Sequence, residues 1–115
     1  MTTDTSTNAL VRLSTIKGTA LNKGKARTWI ETGKLAQYGF VRHAPIRVIF
    51  GDTSIGIILD DTGNREVAGR VRNGKEIQIL DLCEPLADRN ARFNGSEKLE
   101  VLVSFGLIVI RALEV

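Results

Sequence analysis

One pattern occurs twice in this chain, in the same order, and it limits the fold more than any other feature. Residues 10–62 read as a strand, a loop, a second strand Arg27-Thr-Trp-Ile-Glu31, a short helix around Leu35, then Phe40 and a hairpin of Ile46–Phe50 with Ile55–Leu59. Residues 63–115 read as a strand, an Asn73-Gly74 turn, a strand Glu76-Ile-Gln-Ile-Leu80, a helix around Leu86, then Phe93 and a hairpin of Leu99–Val103 with Leu107–Ile110. Ile46 to Ile55 spans nine residues and Leu99 to Leu107 eight, while the stretch from helix to strand is longer in the second half. Identity between the halves is low, so the repeat is one of pattern. Four strands and one short helix leave apolar sheet faces uncovered, so half of this chain cannot bury its own core. Two halves closing on each other can, and a barrel formed that way also removes exposed edges. The expectation is a mainly β, pseudo-twofold barrel with two short helices. It forms one domain over residues 10–115, preceded by a disordered Thr- and Ser-rich tail over 1–9.

Local signals agree with that outline. Leu10 to Ile16 alternates, as do Ile46 to Phe50 and Arg65 to Arg72, and the apolar runs are rich in Ile, Val and Leu. Gly18, Asn22 and Gly24 bracket a basic loop, and Asn73-Gly74 is the strongest hairpin signal in the chain. Thr32 can cap a short helix that turns Leu35 and Ala36 inward and ends at Gly39. Glu84-Pro85 starts a second helix, which carries Leu86 and Ala87 and ends between Arg89 and Gly95. With one Trp, one Tyr and four Phe, the core must be mostly aliphatic, and Trp29 is expected to pack within it.

Arg27-Thr-Trp-Ile-Glu31, Leu35, Gly39-Phe40, Ile46-Arg-Val-Ile-Phe50 and Ile55-Gly-Ile-Ile-Leu59 together resemble the SymE-like, AbrB/MazE-type swapped-hairpin unit. Residues 10–60 carry the resemblance directly and 65–113 carry it by pattern. Proteins of that superfamily pair two such units, usually from two chains, into an interleaved β-barrel, so this chain resembles a tandem single-chain duplication. The resemblance implies a DNA-binding regulator or antitoxin; SymE-like members are described as toxins associated with RNA cleavage or nucleoid binding. It also implies that basic residues on the first hairpin of each unit meet nucleic acid. Those are Arg12, Lys17, Lys23, Lys25 and Arg27 in the first half, and Arg65, Arg70, Arg72 and Lys75 in the second.

The charge pattern points the same way. Residues 1–48 hold eight Lys/Arg against Asp4 and Glu31, whereas the remainder holds eight basic and eleven acidic residues. Such an asymmetry favours a polyanion at one face, and Arg- and Lys-rich turns flanked by Gly release counterions on neutralising phosphates. Catalysis has no comparable support. His43 is the sole histidine, Asp60-Asp61 suits a turn, and no phosphate loop precedes a helix. Lone Cys83 excludes an internal disulfide, and no apolar run is long enough to span a bilayer. The expectation is a cytoplasmic, non-enzymatic monomer or homodimer without metal or cofactor, binding nucleic acid, with DNA ahead of RNA. A small phage- or plasmid-type accessory protein that modulates a host protein complex is the alternative, and an RNA-directed toxin the third reading.

Overall fold

The computed structural model describes residues 9–113, so the tail expected over 1–9 lies outside the described residues except for Ala9. The chain is mainly β. In order it forms β1 (Val11–Lys17), β2 (Leu21–Asn22), β3 (Lys25–Thr32), a single 3-10 turn (Ala36–Tyr38), β4 (Pro45–Phe50) and β5 (Ser54–Leu59). There follow β6 (Arg65–Glu66), β7 (Ala68–Arg72), β8 (Lys75–Glu84), α1 (Leu86–Phe93), β9 (Lys98–Ser104) and β10 (Leu107–Ala112).

The strands form two antiparallel sheets, a larger one ordered β1-β9-β10-β5-β4-β6 and a smaller one ordered β2-β3-β8-β7. Exchanging the two halves reverses each order onto itself. β1 of the first half pairs with the β9–β10 hairpin of the second, and β6 of the second pairs with the β4–β5 hairpin of the first. The ladders also correct the sequence alignment. The Lys23-Gly24 and Asn73-Gly74 turns correspond at a separation of 50 residues, and the β4–β5 and β9–β10 hairpins at 53. Ile55 therefore matches Ile108 rather than Leu107, and the extra length of the second half lies between β8 and β9.

The single closed barrel expected from the sequence is replaced by these two sheets, because the ladders stop where the chain turns from one sheet to the other. At the first corner Gly18 donates to Glu97 on the larger sheet, and two residues later Ala20 accepts from Arg27 on the smaller one. At the second corner the run expected as one strand over Arg65 to Arg72 breaks at Val67. This buried residue donates to Ala44 and accepts from His43, so its backbone leaves both ladders. Such strand-switching corners are how stacked sheets join without a continuous ladder.

The core lies between the two inner faces. Ile46, Ile55, Ile57, Leu99, Val101, Val103, Ile108 and Ile110 come from the larger sheet, and Ile30, Leu80 and Leu82 from the smaller. Leu35, Phe40, Val67 and Phe93 close its ends. The first expected helix shrinks to one 3-10 turn, with Leu35 buried but Ala36 exposed. Its free N–H groups are capped from the other half. The buried Gln78 carboxamide oxygen accepts from Leu35 N at 3.1 Å and Ala36 N at 3.2 Å, leaving Thr32 to accept from Lys34 N.

Helix α1 leaves Leu86 and Ala87 exposed, and its buried face is Arg89 and Phe93. The residues beneath it explain this choice. Arg89 donates to Glu84 Oε2 at 3.0 Å, to Gly18 O at 3.1 Å and to Thr28 Oγ1, satisfying polar groups that an apolar side chain would leave unpaired. Arg92 takes the other oxygen of Glu84 at 2.6 Å and donates to Gly51 O. One buried carboxylate thus holds two guanidiniums. Glu84→Gln leaves them uncompensated and is expected to cost about 3–5 kcal/mol, comparable with emptying a core position by Ile57→Ala. Urea unfolding of both variants checks this, and a loss for Glu84→Gln below about 1 kcal/mol would show the network to be dispensable.

Candidate nucleic-acid interface

Alternation along the smaller sheet decides which side chains share its outer face. Directly opposed residues in an antiparallel ladder project to the same side. Ala26, Thr28, Ile30, Gln78, Leu80, Leu82 and Glu84 point into the core, and so Arg27 opposite Cys83, Trp29 opposite Asp81 and Glu31 opposite Ile79 point out. Lys25 of β3 lies opposite Asn22 of β2, and Arg70 and Arg72 of β7 lie opposite Ile77 and Lys75 of β8. This face gathers Lys25, Arg27, Arg70, Arg72 and Lys75 from the nine expected contact residues. Trp29 joins them with 37% of its surface exposed, which overturns its expected place in the core. The signal was present in the sequence, since Arg27 and Glu31 share its parity and the face that bears them must be the wet one.

The outer face is held by a chain of ion pairs. Both oxygens of Asp81 accept from the Arg27 guanidinium, at 2.9 and 3.1 Å, and that guanidinium lies 4.2 Å over the Trp29 ring. Trp29 Nε1 donates to Glu31 Oε1 at 3.3 Å. The second oxygen of Glu31 holds Arg70, with Arg72 4.0 Å away. Cys83 is half-buried on this face, its Sγ 3.9 Å from Asn22 Nδ2.

A division of labour between the cations follows. Nine of the ten arginines lie within ion-pair distance of a carboxylate, the exception being Arg65, whereas none of the six lysines does so among the described residues. Arg12 is away from the outer face, on β1 of the larger sheet, sharing Glu100 with Arg111. Lys17 ends β1, and Arg65 begins β6 at the second corner. The nine residues thus form no single patch.

Three of the six lysines, Lys23, Lys25 and Lys75, mark two hairpin tips. The basic loop expected around Lys23 is a tight turn, with Lys23 at φ 53° and Gly24 at φ 82°, and the second tip repeats it with Asn73 at 53° and Gly74 at 76°. Positive φ at both central positions gives the type I′ turn that matches strand twist, and glycine takes its second position without strain. Lys23 and Lys25 flank the first tip, Lys75 the second. Lys25 lies one residue beyond the Ala26–Glu84 pair, whereas Lys75 opens the same strand β8, so the tips stand at opposite ends of the sheet. Lys25 and Lys75 are thus separated along the strands by roughly 33 Å at the usual rise per residue.

No family, characterised protein or solved structure matches this chain.

Elsewhere His43, with φ 73°, places Nδ1 2.8 Å from Glu66, and Asp60 forms a turn by accepting from Thr62 N and Oγ1. Hydrogen bonds from Thr62, then Arg47, lower the Asp60 pKa from 3.8 to about 2. Arg70 holds Glu31, and Arg111 holds Glu100, below the ordinary 4.5. A lowered folded-state pKa adds stability that is complete above the unfolded value and is lost as pH falls through the folded one. Acid should therefore weaken the fold progressively below about pH 4.5, with the Asp60 contribution lost as pH falls toward about 2. Urea midpoints across that range check this; Asp60→Asn should flatten the lower end, and an unchanged profile would remove these pairs from the account.

Proposed function

We propose that this chain is a nucleic-acid-binding regulatory module that grips duplex DNA by its phosphates through the two basic hairpin tips. The observation that carries the reading is the pair of matched tips. Lys23 and Lys25 at one end of the smaller sheet, and Lys75 at the other, carry charges that no carboxylate among the described residues neutralises. Roughly 33 Å between Lys25 and Lys75 is close to one turn of duplex, about 34 Å, so both can meet the same face of the helix. Backbone contacts of this kind position a protein without reading sequence. The palindromic strand orders also support the AbrB/SymE-like, swapped-hairpin reading, in which each half's first strand pairs with the other half's hairpin. Of the residues first expected at the contact, Arg12, Arg27, Arg70 and Arg72 serve the fold through Glu100, Asp81 and Glu31.

A second reading, a module that docks on a protein, draws on a different observation. β6 pairs only with Pro45 and Ile46 of β4, which leaves the edge from Arg47 to Phe50 without a ladder partner among the described residues, with Ile49 and Phe50 exposed. Such an edge accepts an extended peptide strand.

Fluorescence-anisotropy titration with a duplex of about 20 base pairs, two helical turns, tests the first reading. Binding should weaken steeply with salt. Replacing Lys23, Lys25 and Lys75 together by Ala should reduce the logarithmic salt slope by about 2.7, at roughly 0.9 for each phosphate that is no longer neutralised. Glu31→Gln, which unties Arg70 and Arg72, should tighten binding. A folded triple variant that binds like the parent, or a parent that fails to bind duplex at low salt, would overturn the proposal.

A further inference from the structure

The outer-face tryptophan also walls a groove that the hairpin tips do not use. It runs between β1 and β3, near where the two sheets part, with a volume of about 480 Å³. Trp29, Glu31, Thr32 and Lys34 line one side, and Leu13 and Thr15 the other. That volume is in the range of small-ligand clefts, roughly 300–1,000 Å³. Its composition is an indole, an aliphatic wall, hydroxyls, the Glu31 carboxylate and one lysine with no carboxylate partner among the described residues.

The indole is fixed before any ligand arrives. The Arg27 guanidinium stacks on its ring at 4.2 Å, and Nε1 is held by Glu31 at 3.3 Å, so its orientation is set by two contacts from its own strand. A partly exposed, pre-oriented aromatic beside a cation is the combination that binds an unpaired base, because every base presents a π-face and every nucleotide a phosphate. Paired bases are stacked within a duplex and cannot enter such a groove. The hydroxyls of Thr15 and Thr32 can hydrogen-bond a base edge, and the Glu31 carboxylate, though already held by Trp29 and Arg70, has further lone pairs that can accept from an exocyclic amine.

We propose that this groove seats an unpaired nucleobase stacked on Trp29, with Lys34 on an adjoining phosphate. The ligand is a single strand of DNA or RNA. The inference deepens the nucleic-acid reading and rests on it, yet it involves different residues. The tips are matched between the halves; the groove is not, since the 50-residue correspondence that matches the turns places Ile79 where the first half has Trp29.

Trp29 is the only tryptophan, so its emission reports this one place. The full chain is titrated with oligothymidylate, oligouridylate and a blunt duplex, following tryptophan quenching and anisotropy together. Single strands should quench saturably and the blunt duplex should not; thymidylate against uridylate then separates DNA from RNA as the source of the base. Trp29→Ala should weaken single-strand binding about tenfold while Trp29→Phe retains most of it, and Lys34→Ala should lower the salt slope by about 0.7. Circular dichroism and urea midpoints confirm that each variant is folded. Single-strand binding without quenching, or undiminished in Trp29→Ala, overturns the inference. Duplex binding with no single-strand binding overturns it while leaving the tip reading intact, and failure of every nucleic acid to bind overturns both.

Discussion

Everything in this fold depends on ladders that run between the two halves of the chain. β3 pairs with β8 along the middle of the smaller sheet, from Ala26–Glu84 to Thr32–Gln78, and β5 pairs with β10 along the middle of the larger. With β1 on β9 and β6 on β4, each half lends its first strand to the other. Neither half can therefore complete either sheet, and the first cannot cap its own turn, since Gln78 of the second half caps Leu35 and Ala36. Such long-range pairing must overcome loop-closure entropy before it stabilises anything, so the two halves are bound to fold together.

Charge is distributed by chemical type. Guanidinium is planar, multiply donating and weakly hydrated, which suits it to buried pairs such as Arg89–Glu84–Arg92 and to forked contacts such as Arg27–Asp81. Ammonium is compact and strongly hydrated, and the lysines stay at tips and rims. A net charge of +3 says little about partners when most of the arginines are committed to internal carboxylates. Counting basic residues along a strand overstated the contact surface for this reason. Arg70 and Arg72 look like phosphate ligands in sequence, but Glu31, 39 residues from Arg70 along the chain, is their partner.

The elements that were legible are those specified by local rules. The hairpin at Asn73-Gly74, the β4–β5 and β9–β10 hairpins, and the plugging positions Phe40 and Phe93 follow from period-two alternation and turn chemistry. Elements decided by tertiary neighbours were not. Arg89 takes the buried face of α1 because the polar groups of Gly18, Thr28 and Glu84 lie beneath it, a fact of the β3–β8 pairing. Val67 broke a run that alternates well because its backbone bonds to the segment around His43 and Ala44. Trp29 is different in kind. Residue type suggested burial, parity with Arg27 and Glu31 indicated exposure, and parity was the better guide because one register governs a whole strand face.

Twofold symmetry then separates scaffold from specialisation. Features that obey it include the hairpins, the plugging phenylalanines and the lysines after each tight turn. Those that break it are confined to few places. The stretch between β8 and β9 is longer and forms α1, whereas its counterpart is one 3-10 turn. β1 covers β9 along its length, whereas β6 covers only two residues of β4. A duplicated scaffold can present the same contact twice, which suits the repeating phosphates of a duplex. A contact needed only once must come from an asymmetric element, and Trp29 with the groove beside the longer strand β1 is such an element. Loss of symmetry at a stable framework is thus the physical reason to place a second kind of recognition there, distinct from the paired tips.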